Sequence, residues 1–154
     1  MIAKRPSILA LDLEGTLISD AFSCFARPIV RPFLDWTGEA FDQVVIYTAV
    51  PAYVARQVLE MLVEEGEAPG WFANLELFHP VEMNGGRVKD LAVFGSLGTA
   101  VLVDDWEGYV LEDQKQWWVG VPQFTPHDEC ESDRELENVR RELERRYLGG
   151  GRKP

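Results

Sequence analysis

Residues 7–17 read SILALDLEGTL, and this stretch decides the fold. It joins an apolar run to two carboxylates, Asp12 and Glu14, and then to Gly15 and Thr16. An apolar run without polar alternation is typical of a parallel strand that is covered on both faces. Gly15 provides a break at which the chain can leave the sheet. The stretch therefore predicts a buried strand that places Asp12 at the carboxyl edge of a parallel sheet, where α/β proteins bind their ligands.

Asp12 and Glu14 are separated by one residue, so in an extended backbone they project to the same side. Two carboxylates in one site can divide the chemistry, one as nucleophile or metal ligand and the other as proton donor. The same pattern also fits a helix cap and a turn with solvated acids after a buried strand. The rest of the chain decides between these interpretations.

Length and composition predict one globular domain over residues 1–148, followed by a flexible tail at 149–154. The two cysteines, Cys24 and Cys130, lie far apart without a histidine cluster, which gives no sign of zinc and fits a reducing cytoplasm. The apolar runs are far shorter than a membrane span, and residues 1–7 lack the apolar core of a signal peptide. We therefore expect a cytoplasmic protein with no membrane partner.

The net charge is −11, which argues against a nucleic-acid partner because such affinity depends largely on neutralised phosphates. A phosphorylated substrate would also be repelled at long range. Screening within about 8 Å at physiological salt, and a cation inside the site, can offset that repulsion locally.

Strand and helix patterns alternate along the chain. The predicted strands after the first are 44–48, 75–78, 100–103 and 117–121, and the predicted helices are 31–38, 52–64, 89–94 and 132–148. Gly85 and Gly86 predict a turn, and Ser132 with Glu135 predicts a capping box at the last helix. The segment 18–29 reads as irregular and is too short for a separate cap domain. This order predicts a three-layer α/β domain with a central parallel sheet of about five strands.

Chemically active side chains recur at the ends of the predicted elements: Asp12, Glu14, Thr48, Lys89, Asp104 and Asp105. Transfer of a phosphoryl group to an enzyme carboxylate needs a nucleophile, a cation, hydrogen-bond donors for the phosphate oxygens and an acid for the leaving group. Magnesium binds carboxylates, waters and substrate phosphate. Adjacent acids such as Asp104 and Asp105 repel each other and destabilise the fold unless a cation offsets their charge. This set supplies a candidate for every role.

In the same order, DLEGT at 12–16, Thr48, Lys89 and the Asp104–Asp105 pair resemble the four motifs of the haloacid dehalogenase (HAD) superfamily. RPFL at 31–34, IYTA at 46–49, VKDL at 88–91, LVDD at 102–105 and SDREL at 132–136 resemble its NIF-like branch. That branch includes phosphatases that act on the C-terminal domain of RNA polymerase II. The resemblance covers most of residues 7–147 and implies a Rossmann-like HAD fold without a cap.

The resemblance implies a magnesium-dependent phosphomonoester hydrolase. Asp12 would attack phosphorus and form an aspartyl-phosphate, while Glu14 would protonate the leaving group and later activate water. Thr48, Ala49 and Lys89 would bind the transferring phosphate, and Lys89 would also restrain Asp12.

The resemblance also implies a metal site. Asp12, the backbone carbonyl of Glu14 and Asp104 would bind Mg²⁺, and Asp105 would bind it directly or through water. The absence of a cap predicts an open site that suits a phosphorylated protein segment or another extended substrate.

Glu14 departs from the pattern, since most of the superfamily carries aspartate there and the NIF-like branch usually reads Asp-x-Asp-Glu-Thr. The enolase-phosphatase branch does carry Asp-x-Glu-Gly-Thr. Two alternatives stay open: a small-molecule or nucleotide phosphatase using the same site, and a catalytically weak pseudophosphatase that binds a partner. A signalling receiver would place its acidic pair first, whereas this chain places it last.

Four further side chains receive structural interpretations. Arg31 is predicted to form an ion pair at a helix end rather than to contact substrate. Trp106, Trp117 and Trp118 are predicted to pack in the core or at its rim rather than to form a base-stacking platform, given the acidic charge.

Overall fold

The computed structural model of the chain describes residues 5–83, 85–126 and 130–149. Its strands are β1 (Ile8–Leu11), β2 (Gln43–Tyr47), β3 (Leu77–Phe78), β4 (Val81–Met83), β5 (Gly86–Val88), β6 (Ala100–Asp104) and β7 (Trp118–Gly120). Its α-helices are α1 (Val30–Ala40), α2 (Ala52–Glu64) and α3 (Glu135–Tyr147). Short 3₁₀ helices span Gly70–Asn74, Leu91–Phe94, Glu107–Tyr109, Glu112–Trp117 and Cys130–Ser132.

Five strands form one parallel sheet in the order β3-β2-β1-β6-β7, and β4 pairs with β5 in an antiparallel hairpin. The predicted α/β fold with a parallel sheet is confirmed. β1 lies at the centre, and Leu11 pairs with Ile46 on one side and Val103 on the other. The chain leaves β1 toward β2 and later returns on its other side to β6. This reversal creates a crevice at the carboxyl ends of β1, β2 and β6, which is where such sheets bind ligands.

Side chains of β1 alternate between two apolar clusters, one on each face of the sheet. Leu9 and Leu11 are fully buried in the cluster that also contains the apolar sides of α1, α2 and α3. In α2, buried residues recur at spacings of three and four, as one face of a helix requires. Ala10 points to the opposite face, which Leu91 and Val110 cover from the segment between β5 and β7. The three layers are therefore α-helices, the sheet, and 3₁₀ helices with their loops.

Two predicted helix ends differ from the structure. The helix expected to end at Gly38 continues to Ala40, and Gly38 lies within it under the indole of Trp71. A Cβ at position 38 would lie 2.8 Å from that ring, so this glycine allows close approach rather than ending the helix. The helix expected from Ser132 begins at Glu135, where the carboxylate of Asp133 accepts the backbone N–H of Glu135.

The prediction of a helix over 89–94 is wrong at its start. Lys89 follows β5, and a 3₁₀ helix begins only at Leu91, after Asp90 caps it by accepting the Ala92 N–H. The predicted turn is confirmed at Gly85, which has φ +81°, whereas Gly86 already begins β5. The strands on either side of this turn were not predicted.

No helix in the described ranges is long and apolar enough to cross a membrane. No added cap domain interrupts these ranges. The connection between β1 and α1 contains only isolated bridges in its described residues, which join Ile18 to Glu14 and to Ala26. The predicted tail at 149–154 lies outside the described residues except for Gly149.

Candidate active site

The carboxyl ends of β1, β2 and β6 surround a cleft of about 240 Å³. The residues that line it are Asp12, Glu14, Gly15, Ser19, Asp20, Thr48, Ala49, Asp105, Trp106, Tyr109 and Gln123. The two other predicted site residues, Lys89 and Asp104, are fully buried and contact each other. Lys89 also contacts Asp12, so the structure brings the predicted set together.

A second groove of about 300 Å³ lies between α1 and the start of α3. Its lining includes Phe33, Leu136 and Arg140, and no predicted site residue. We therefore assign the chemistry to the cleft at the sheet edge, although the groove is larger.

Lys89 joins two carboxylates beneath the cleft. Its Nζ donates to Asp12 Oδ1 at 2.8 Å and to Asp104 Oδ2 at 2.5 Å, and it lies 4.4 Å from the centre of the Tyr109 ring. Burial disfavours the ammonium, but the charges and hydrogen bonds of Asp12 and Asp104 outweigh burial, and the pKa of Lys89 is raised. Lys89 therefore stays charged at neutral pH.

Asp12 is held through both carboxylate oxygens. Oδ1 accepts from Lys89, and Oδ2 accepts from the Thr16 hydroxyl at 2.7 Å. A carboxylate offers about four lone-pair sites, so Asp12 can still bind a ligand in the cleft. The sequence interpretation gave Thr16 no role, although its place four residues after Asp12, just past a glycine turn, was the signal that could have identified it.

Asp104 and Asp105 share this poorly solvated space with Asp12. Burial, with the charge of Asp12 adding to it, raises the pKa of Asp104 to about 6. Burial also raises the pKa of Asp105 to about 8, and a hydrogen bond with Asp12 and the charges of Asp12 and Asp104 add to it. One oxygen from each of the three carboxylates lies within 4.8 Å of the others. Such a set of hard oxygen donors fits a divalent cation such as Mg²⁺.

Gly15 allows Asp105 to approach the loop that follows Asp12. Its φ is +80°, and a Cβ there would lie 2.5 Å from Asp105 Oδ2. The turn requires the left-handed backbone of Gly15, and the approach of Asp105 requires the absence of a side chain there. The predicted break at Gly15 therefore also makes room for the carboxylate cluster.

Glu14 faces the cleft from outside the carboxylate cluster. Its Oε2 accepts the backbone N–H of Ala21 at 2.5 Å, which ties the acid to the loop after β1. The longer side chain of glutamate is thus held in place by a backbone contact. The predicted role of its backbone carbonyl as a metal ligand stays a prediction.

Thr48 and Ala49 form the wall of the cleft at the end of β2. Thr48 is 1% exposed, and its Oγ1 accepts the Val50 N–H at 3.0 Å. Because that bond uses a lone pair, the hydroxyl proton can be donated to a ligand. The predicted placement of a hydroxyl donor at this strand end is consistent with a phosphate-binding role.

Arg27 was missed by the sequence analysis. It is 1% exposed, pairs with both carboxylate oxygens of Asp133 at 3.0 and 3.1 Å, and donates to the carbonyls of Gly15, Thr16 and Pro122. Arg27 thus fixes the loop after Asp12 to the start of α3. Its partner is 106 residues away, so no local pattern pairs the two.

The ion pair predicted for Arg31 and the packing predicted for Trp117 and Trp118 are confirmed, whereas the core or rim packing predicted for Trp106 is not. Arg31 pairs with Asp35 one helical turn away at 3.2 Å. Trp117 stacks on Tyr147, and Trp118 Nε1 donates to the backbone carbonyl of Asp104. Trp106 lies at the rim of the cleft and is 55% exposed.

A comparison with protein families matches residues 7–149 to the family model described as NLI interacting factor-like phosphatase. A comparison with curated proteins found no match. The matched range begins before β1 and ends after α3, so it includes every side chain of the cleft described above.

We predict that Arg27→Met lowers the free energy of unfolding by about 3 kcal/mol, because it leaves the partly buried Asp133 charge without its counter-ion and the carbonyls of Gly15, Thr16 and Pro122 without their donor. The matched control is Arg31→Met, whose exposed ion pair contributes about 0–1 kcal/mol. Urea denaturation of both variants measures the difference. Equal, small losses would show that Arg27 does not fix the loop.

Proposed function

The chain belongs to the NLI interacting factor-like phosphatase family. We propose that it hydrolyses phosphomonoesters with the help of Mg²⁺, and that the reaction passes through an aspartyl-phosphate intermediate on Asp12. Membership makes it a phosphoric monoester hydrolase, and its substrate is phosphorylated. The metal and the covalent step are proposed from one observation: three carboxylates gather around a cleft above a single buried lysine.

Asp12, Asp104 and Asp105 would hold the cation. Bound Mg²⁺ would neutralise charge on the phosphate oxygens and orient the group for attack. The raised pKa values of Asp104 and Asp105 support this assignment, since burial and mutual repulsion disfavour their charges unless a cation offsets them.

Asp12 would act as nucleophile. One of its carboxylate oxygens forms a bond to phosphorus while the bond from phosphorus to the ester oxygen breaks. Glu14 gives its proton to that oxygen, so the leaving group departs as an alcohol. Glu14 then takes a proton from water as the water attacks phosphorus, the bond to Asp12 breaks, and inorganic phosphate is released.

Three residues would bind the transferring group. The Thr48 hydroxyl and the backbone N–H of Ala49 lie at the end of β2 and would donate to phosphate oxygens. Lys89 would offset charge from below while it keeps Asp12 in one orientation. The cleft is open, which supports the proposal of a phosphorylated protein segment or another extended substrate.

The first test is hydrolysis of 4-nitrophenyl phosphate with and without Mg²⁺, beside Asp12→Asn. We predict that activity requires the metal and that Asp12→Asn lowers kcat on the order of 10⁴-fold or more. Asparagine keeps an oxygen for the Lys89 hydrogen bond, and circular dichroism checks the fold.

Unchanged activity in Asp12→Asn, or full activity in chelator, would contradict the proposed mechanism. No activity in folded, magnesium-loaded protein would favour the binding-only alternative.

Glu14→Gln tests the assigned acid and base. With 4-nitrophenyl phosphate we predict a burst of one nitrophenolate per active site and then slow turnover. Nitrophenolate leaves without a proton, so the first step does not need Glu14 as an acid. Hydrolysis of the phosphoryl group from Asp12 does need Glu14 as the base that activates water. Steady-state kcat should fall by about 10²–10⁴-fold.

Rapid-mixing absorbance measures both phases, and Glu107→Gln, an exposed acid beside the cleft, is the control. Steady-state rates in Glu14→Gln that equal those of this control would remove Glu14 from the mechanism.

A further inference from the structure

Trp106 places a large apolar side chain at the edge of a cleft that four carboxylates line. It is 55% exposed and lines the cleft next to Asp105. Burial of a tryptophan side chain stabilises a protein, and an exposed one forgoes that free energy. An exposed ring of this size beside reacting groups can therefore gain it by packing against a bound ligand.

Three contacts hold the residue in place. Its backbone N–H donates to Asp104 Oδ1 at 2.9 Å, and its ring packs edge to face on Tyr109 with the ring centres 4.7 Å apart. The ring also lies over Gly108, where an added Cβ would overlap it. Because the ring is ordered before any ligand binds, little rotational freedom is lost when a ligand stacks on it.

The charge of the cleft restricts what can lie against this ring. Four carboxylates line the cleft, those of Asp12, Glu14, Asp20 and Asp105, and none of its described lining residues is lysine or arginine. Lys89, below, is already matched by two carboxylates. A second phosphate beside the transferring one would face uncompensated negative charge, whereas an uncharged ring would not.

We propose that Trp106 is a specificity-determining residue, and that the site prefers phosphomonoesters whose leaving alcohol carries an uncharged aromatic ring next to the phosphate. The inference rests on the proposed function and adds a substrate class to it. Stacked or edge-to-face ring pairs provide the preference. A phosphorylated tyrosine side chain and a small aromatic alcohol ester share this chemistry.

The test compares kcat/KM for benzyl phosphate and ethyl phosphate, which are both esters of primary alcohols. Trp106→Ala should lower the value for benzyl phosphate by about tenfold, the upper range of an aromatic pair. The value for ethyl phosphate should stay within about twofold. Because each ester is compared between variant and wild type, the intrinsic reactivity of the ester cancels. Trp106→Phe should retain the preference for benzyl phosphate over ethyl phosphate.

Glycine variants move the ring without removing it. Gly108→Ala would displace the Trp106 indole and should reduce the benzyl preference in the same direction. The matched controls are Trp71→Ala and Gly38→Ala. Trp71 lies over Gly38 of α1, away from the cleft, as Trp106 lies over Gly108. Neither control should change the ratio of the two esters.

Equal losses on both esters in Trp106→Ala would overturn the inference, because they would show a general effect on the site rather than recognition of a ring. No loss on either would overturn it as well. 4-Nitrophenyl phosphate measures the activity itself. Wild-type protein that hydrolyses it but not benzyl phosphate would overturn the inference, whereas protein that hydrolyses none of the three esters would mean that the proposed function fails.

Peptides of one sequence with phosphotyrosine or phosphoserine distinguish the sources. A kcat/KM for the phosphotyrosine peptide above that for phenyl phosphate, which also releases a phenol, supports a protein side chain, and the reverse supports a small ester.

Discussion

The buried ammonium of Lys89 is the interaction on which the site depends. It bonds Asp12 and Asp104 at once, and a third carboxylate, Asp105, lies beside them. Three carboxylates against one ammonium leave two uncompensated negative charges when all are ionised. Burial, with the hydrogen bond and charge of Asp12 adding to it, raises the pKa of Asp105 to about 8, so without a cation this carboxyl holds a proton at neutral pH and the charge of the cluster falls. A divalent cation would balance the two charges and leave the carboxylates ionised.

The fold places these groups through the ends of parallel strands. β1 and β6 are adjacent, so Asp12 and Asp104 meet at one edge, and the β4–β5 hairpin leads directly into Lys89. Gly15 lets Asp105 approach, and Arg27 fixes the same loop to α3. Backbone constraints on both sides of Asp12 therefore determine where its carboxylate lies.

Much of this arrangement follows from the sequence, because buried parallel strands have continuous apolar runs and acids at strand ends converge at one edge. Asp12, Thr48 and Asp104 were predictable for that reason. The hairpin strands were not, since three residues are too few to show a period. The pairing of Arg27 with Asp133 was not either, because it joins positions 106 apart and depends on how the layers pack.

The proposed chemistry makes Asp12 a transient carrier of phosphate. The most direct test is to quench wild-type protein in acid during turnover of 4-nitrophenyl phosphate with Mg²⁺ and to search its peptides by mass spectrometry. We predict a phosphoryl group on the peptide that contains Asp12, and none on that peptide from Asp12→Asn. Turnover at full rate with no phosphoryl group on Asp12 at any quench time would contradict the covalent mechanism.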